Sequence, residues 1–260
     1  MSEKLLTLKE NTNLKEVGQV CEEYQIAVNE IGSEIEKMAL MSKALGMVKE
    51  RLDDGMVKQF KSLENTRLGF QTDKNDGYSV AIVRNCLVQA LIQGVKPIGN
   101  EFNIIGNNFY VTKEGFTGLM SRNPNFTDLK INQDLPEYDH PNKRASVKYS
   151  ATWKWQGKEM STDGVVSIKL QYARSSDYCV TSDDAIYGKA ERKIRNRIWN
   201  MTTGDNLIEG DTTDLTKEER LERAKPVKAT PEDHANDLGI KTVEAVKSNR
   251  TESEGDIISR

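Results

Sequence analysis

Cysteine, histidine and proline are scarce in this 260-residue chain, which holds 3 Cys, 2 His and 6 Pro. Cys21, Cys86 and Cys179 lie far apart and form no CxxC pair, and His140 and His234 are isolated. Neither a disulfide framework nor a Cys/His metal site is expected, and a reducing cytoplasm fits. No apolar run approaches the roughly 18 residues of a membrane span. The opening MSEKLLTLKENTN lacks the apolar stretch of a secretory signal. Also missing are GxxxxGKS/T, a GxGxxG after a strand, GxSxG and HExxH. These absences exclude the usual phosphate-cradling loop for ATP, a hydrolase nucleophile elbow and a zinc-protease helix. Asp183 and Asp184 are imaginable as nuclease metal ligands, but N-terminal capping and support of the helix dipole is the better reading of two carboxylates that open a helix. The chain is therefore read as a cytoplasmic non-enzyme without a cofactor.

Charge is balanced overall, at −3, yet unevenly spread. Residues 140–200 carry 12 Lys and Arg against 6 Asp and Glu, whereas 205–260 carry 9 against 14. A basic core followed by an acidic tail implies a polyanionic partner for the core. The tail, with no aromatics and few large apolar residues, reads as flexible, with a weak helix at 217–224.

The most informative stretch is DDAIYGKAERKIRNRIWNM, residues 183–201. At helical spacing, Ile186, Tyr187, Ala190, Ile194, Ile198 and Met201 form an apolar side. Lys189, Arg192, Lys193, Asn196 and Asn200 form a polar stripe, flanked by Arg195 and Arg197. Thr181 or Ser182 suits the N-cap and Gly204 the stop. The stripe suits a polyanion, and it equally describes a solvated surface helix.

The rest of the chain reads as α+β, with an antiparallel sheet of about five strands and packed helices. Residues 14–52 are helical, with a possible break at Gly32–Ser33. Ile31, Ile35, Met38, Leu45 and Leu52 lie near a heptad seam, fit either for packing on the domain or for a contact between copies. Residues 80–93 form an almost wholly apolar helix ended by Gly94 and Pro97. Strands at 101–105 and 108–112 turn at Gly106–Asn107. A short helix follows at 115–122, then a strand at 126–131 and a loop at 136–142. Strands 146–155 and 159–170 pair across Gln156–Gly157. Alternation puts Val147, Tyr149, Ala151, Trp153 and Trp155 on one face and Lys148 and Lys154 on the other. Trp153 and Trp155 suit either a core or base stacking. The expected organisation is a helical region at 1–55, a core at 56–204 and a flexible acidic tail at 205–260.

Residues 79–126, SVAIVRNCLVQALIQGVKPIGNEFNIIGNNFYVTKEGFTGLMSRNPNF, resemble the RecT and Redβ type of phage single-strand annealing proteins. The apolar helix runs into Gly94-Val95-Lys96-Pro97, then a hairpin, then a helix opened near Gly115–Phe116 and closed by Leu119-Met120-Ser121-Arg122. Thr112-Lys113-Glu114-Gly115 stands where that family has Tyr-Lys-Gly, with one extra residue. Ile186, Lys189 and Lys193 fit one register of its later basic helix. The likeness covers roughly 56–201.

The resemblance implies ATP-independent binding of single-stranded DNA and annealing of complementary strands in phage-type recombination, giving an annealed duplex. It also implies homo-oligomeric rings or helical filaments. An exonuclease or a host single-strand binding protein would dock on the C-terminal segment. A non-annealing coating protein and, more remotely, a metal-dependent nuclease are the alternatives. Two cationic walls are expected to line a shared trough. Lys189, Arg192, Lys193 and Asn196 form one wall, with Arg195 and Arg197 beside them. Lys148, Lys154, Lys169 and Arg174 form the other, and Lys113 and Arg122 are further candidates. The tail's carboxylates are expected either to compete for this trough or to tether a partner.

Overall fold

The computed structural model describes residues 12–172 and 179–215. Two helices open it, α1 (Thr12–Glu30) and α2 (Glu34–Arg51). The break falls just before Ser33, which N-caps α2. Val17, Val20 and Tyr24 of α1 and Ala44 and Val48 of α2, with Leu52 just beyond, are buried in the same core as the rest of the chain. The expected boundary at residue 55 therefore does not separate two cores. Of the near-heptad seam, Leu45 and Leu52 pack inward, whereas Ile35 and Met38 are 80% and 71% exposed. The packing direction of α2 is set by the Ala44, Val48 and Leu52 spacing of four instead.

Helix α3 (Asp54–Lys61) is N-capped by Asp53, and α4 (Val80–Ile92) by Ser79. Val83, Cys86, Leu87, Val88, Ala90 and Ile92 of α4 are buried, as its apolar composition requires. Burial in this apolar setting pushes the Cys86 thiol up to about 12, so it packs as a small hydrophobe. Gly94, in the left-handed region at φ 73°, ends the helix run.

The strands divide between two sheets. In the first, β1 (Gln71–Thr72) runs parallel to β2 (Phe102–Ile105), and β2 pairs antiparallel with β3 (Asn108–Val111). Gly106 and Asn107 both have positive φ, the geometry a two-residue hairpin turn demands. Helix α5 (Lys113–Arg122) follows, N-capped by Thr112. Its Gly115 touches the backbone of Glu101, and an added Cβ would sit 2.0 Å from that carbonyl oxygen. Only glycine permits this approach of α5 to β2.

The second sheet is antiparallel. Central β6 (Arg144–Trp155) pairs along its length with β7 (Lys158–Lys169) through the Gln156–Gly157 turn. Its other edge is shared by β4 (Phe126–Gln133) and the short β5 (Glu137–Asp139). The expected loop at 136–142 thus contains a strand.

Helix α6 (Asp183–Thr203) lies on one face of this sheet. Ile186, Ala190, Ile194 and Ile198 meet the face built from Ala145, Val147, Tyr149, Ala151, Trp153, Val166 and Ile168. Ser182 caps the helix and Gly204, at φ 78°, closes it. Met201, expected on the apolar side, is exposed, and Trp199 is buried in its place. No helix among the described residues is long and apolar enough to cross a membrane.

Trp153, 2% exposed and stacked on Phe126, belongs to the core. Trp153→Ala is expected to lower the unfolding free energy by about 3–5 kcal/mol, measured by urea denaturation. A loss below about 1 kcal/mol would mean the sheet does not pack as described.

Candidate nucleic-acid interface

The polar stripe of α6 is not open. The chain returns over it as residues 205–215, which the sequence assigned to the flexible tail. Asn196 and Asn200 donate side-chain N–H groups to the Leu207 carbonyl, at 2.6 and 3.1 Å. The Leu207 N–H donates to Asn200 Oδ1 at 3.2 Å. The segment also extends the first sheet beyond β3: the Val111 N–H donates to the Ile208 carbonyl at 2.9 Å, and the Gly210 N–H to the Val111 carbonyl at 3.1 Å. Gly210 lies flat on Tyr110, where a Cβ would come within 2.7 Å of the ring. The tail boundary expected at 205 is thus corrected: packed structure continues to 215.

Charge neutralisation explains why the strap lies there. Arg192, with a side chain only 5% exposed, donates to Glu209 through Nε and to Asp214 through Nη2. Asp211 stands 4.0 Å away. Lys189 reaches Asp214 at 3.3 Å, and Lys193 reaches Glu209 at 3.6 Å. Burial works against the Arg192 charge, but the surrounding carboxylates outweigh it and hold its pKa above the ordinary value. Three cations of one stripe thus meet three carboxylates of one strap. Arg192 is a structural residue, and the expectation that it lies open on a groove wall is withdrawn.

The other candidates separate by location. Lys113 pairs with Glu191 at 2.7 Å, and Arg195 binds the same carboxylate, joining the start of α5 to α6. Burial raises the Glu191 pKa, but its hydrogen bonds to Lys113 and Arg195 hold it below the ordinary 4.5. Arg122 grips Glu101 through two nitrogens at 2.7 Å and the Gly94 carbonyl at 2.9 Å. Arg197 donates to the Val165 carbonyl on β7 at 2.8 Å. Lys113, Lys189 and Arg192 also line a cleft of about 390 Å³ between the starts of α5 and α6, with Asp211 among its walls. Arg174 lies outside the described residues.

Lys148, Lys154 and Lys169 stand on the face of the second sheet turned away from α6, as β pleating requires of residues alternating with the buried ones. A trough walled by them on one side and by α6 on the other is therefore excluded, because the sheet itself lies between. Instead they share their face with Lys130 and Arg144, brought in by the registers Lys130↔Thr152 and Arg144↔Lys169. Ser146, Ser150, Thr152, Ser161 and Ser167 share the face, and so do Glu159, Asp163 and Val165 of β7 and Glu137 and Asp139 of β5. Alternation extended two residues before the expected strand 146–155 would have found Arg144, and Lys130 lay within the expected strand 126–131.

On this face Lys148 pairs with Glu137 at 2.5 Å and Lys154 with Asp128 at 2.8 Å. All four side chains are substantially exposed, so water and salt screen both pairs. A phosphate can take the place of such a carboxylate. The Arg192 cluster is different, because removing one partner from a buried ion pair costs about 3–5 kcal/mol. This difference in magnitude separates available cations from unavailable ones.

Comparisons with family models, with curated proteins and with solved structures find no match to this chain.

Arg192→Ala should destabilise the chain by about 3–5 kcal/mol in urea and speed proteolysis within 205–215. Unchanged stability would mean that the strap is anchored elsewhere. Glu191 contributes stability that is fully present above pH 4.5 and lost as pH falls through its lower folded value. Between wild type and Glu191→Gln, the stability gap should therefore close on acidification below that pH, as followed by urea melts across the range.

Proposed function

We propose that this protein binds single-stranded DNA and anneals complementary strands without ATP. The observation that carries the reading is the open sheet face, where Lys130, Arg144, Lys148, Lys154 and Lys169 stand on one side of three neighbouring strands among serine and threonine hydroxyls, with Glu137, Asp139, Glu159 and Asp163 as exposed counter-charges that a phosphate would have to displace. Lysine, arginine and hydroxyl groups all donate to phosphate oxygens without reading sequence. A strand held by its phosphates on a flat surface keeps its base edges free, which pairing with a second strand requires. The resemblance of residues 56–201 to single-strand annealing proteins supports the same reading, and so does the lack of a phosphate-cradling loop for a nucleotide cofactor. This reading moves the interface from the stripe of α6 to the opposite side of the sheet.

Assembly into rings or helical filaments belongs to the same proposal. So does docking of an exonuclease or host single-strand binding protein, though the acidic stretch 216–260 lies outside the described residues.

Two complementary oligonucleotides mixed with the protein, without ATP, should pair faster than they do alone, and the product should stay bound. Affinity for one strand should fall linearly in log–log form with salt, with a slope of about −0.7 per phosphate neutralised. Slower pairing would identify a coating protein, and strand cleavage on adding magnesium would identify a nuclease.

A further inference from the structure

The α1–α2 hairpin reaches beyond what the fold buries. Its buried side chains, Val17, Val20 and Tyr24 on α1 and Ala44 and Val48 on α2, lie toward the end where Arg51 pairs with Glu16 at 2.9 Å. From Gln25 to Lys43, round the other end, no described side chain is buried. Three large apolar ones stand in water there. Ile26 is 64% exposed, and Ile35 and Met38 are more exposed still. Residues 22–36 hold five Glu and no Lys or Arg, and Lys37 and Lys43 are the only cations that follow up to residue 43. Glu22 and Glu23, both exposed, sit one turn before Ile26 on the same side of α1. The hairpin end is therefore an acidic arm with an apolar tip, and clustered apolar groups in water mark an interaction surface.

A surface of opposite charge stands on two loops, one after α3 and one after α4. Leu68 is 73% exposed and Ile98 50%. The Gly99 N–H donates to the Leu68 carbonyl at 2.8 Å, and the Asn100 N–H to the Gly69 carbonyl at 2.7 Å, so the loops lie side by side. Gly69 is closed over Leu63, whose carbonyl oxygen would be 2.2 Å from an added Cβ. Tight backbone packing thus holds both aliphatic side chains outward. Arg67 precedes Leu68, and Lys96 stands two residues before Ile98. Both cations are exposed and, among the described residues, neither has an ion pair. The carboxylates nearest in sequence are engaged elsewhere, Glu64 with Lys61 and the Tyr78 N–H, and Glu101 with Arg122.

We infer that the α1–α2 arm of one copy docks on the Leu68–Ile98 patch of a second copy. Apolar tip meets apolar patch, and the glutamates of the arm meet Arg67 and Lys96. Nucleic acid does not suit the arm, because phosphates would face glutamates there. Each copy carries one arm and one patch, so a copy whose arm is docked still offers its patch to another. Such a head-to-tail contact propagates into a ring or a filament. The inference gives a surface to the assembly named in the reading above, on which it rests for that part alone, and it does not depend on DNA binding.

Sedimentation of the full chain without DNA, over a range of concentrations, tests the contact. Wild type should associate into species larger than two copies. Ile35→Ser with Met38→Ser removes the tip, and Leu68→Ser with Ile98→Ser removes the patch. All four side chains are exposed, so urea midpoints should stay at the wild-type value. Each double variant should weaken association at least about tenfold. Arg67→Glu with Lys96→Glu should weaken it too. An equimolar mixture of the tip and patch variants should give a 1:1 complex and nothing larger, because one intact arm and one intact patch remain. A mixture that stays monomeric would overturn the inference, as would unchanged association in any of the three variants. A wild type that is monomeric at every concentration would also overturn it, and would leave single-strand binding, read separately with an oligonucleotide, untouched. If the patch variant loses oligonucleotide affinity while associating normally, the loops touch nucleic acid and not a second copy.

Discussion

The burial of Arg192 constrains the rest of this structure. A guanidinium removed from water must be surrounded by acceptors, and α6 has none to spare on that side. The carboxylates come from residues 209–214, so the chain has to turn at Gly204 and run back along the helix. That return bridges Glu209 to Val111 at the edge of β3 and seals Leu207 against the core. One buried charge thereby ties α6, the first sheet and the return segment into one cooperative unit.

The same requirement sorts the cations by what they can do. The buried pairs at Arg192 are fixed by the fold, because the guanidinium left alone would be stranded in a poorly solvated site. Exposed pairs on the outer sheet face exchange easily with other anions. A polyanion therefore meets two different surfaces. On the α6 side the chain neutralises its cations in buried pairs, and on the opposite sheet face it pairs them with exposed carboxylates that another anion can displace.

The reading of secondary structure from sequence succeeded where local chemistry is decisive. Ser182 caps the helix it was expected to open, and paired positive-φ residues turn both hairpins. Alternation along 146–155 separated Trp153 from Lys154, and the structure keeps them on opposite faces. Strand β5 escaped notice because three residues carry no periodicity, and its exposed Tyr138 and His140 were hidden with it inside a loop. The return segment was assigned to the tail because its composition is acidic and poor in large apolar groups. Composition reports what a segment cannot bury alone, not what a neighbouring charge can recruit.

Sequence by itself determined the α+β class, the helix and hairpin positions and the apolar side of β6, since these follow from spacing, caps and turn residues within a few positions of one another. Only tertiary structure decided which cations remain available. Lys189, Arg192 and Lys193 look as free in sequence as Lys148 and Lys154, and their difference arises from carboxylates many residues away. Burial of a charge depends on what the whole chain places around it, and no local pattern encodes that.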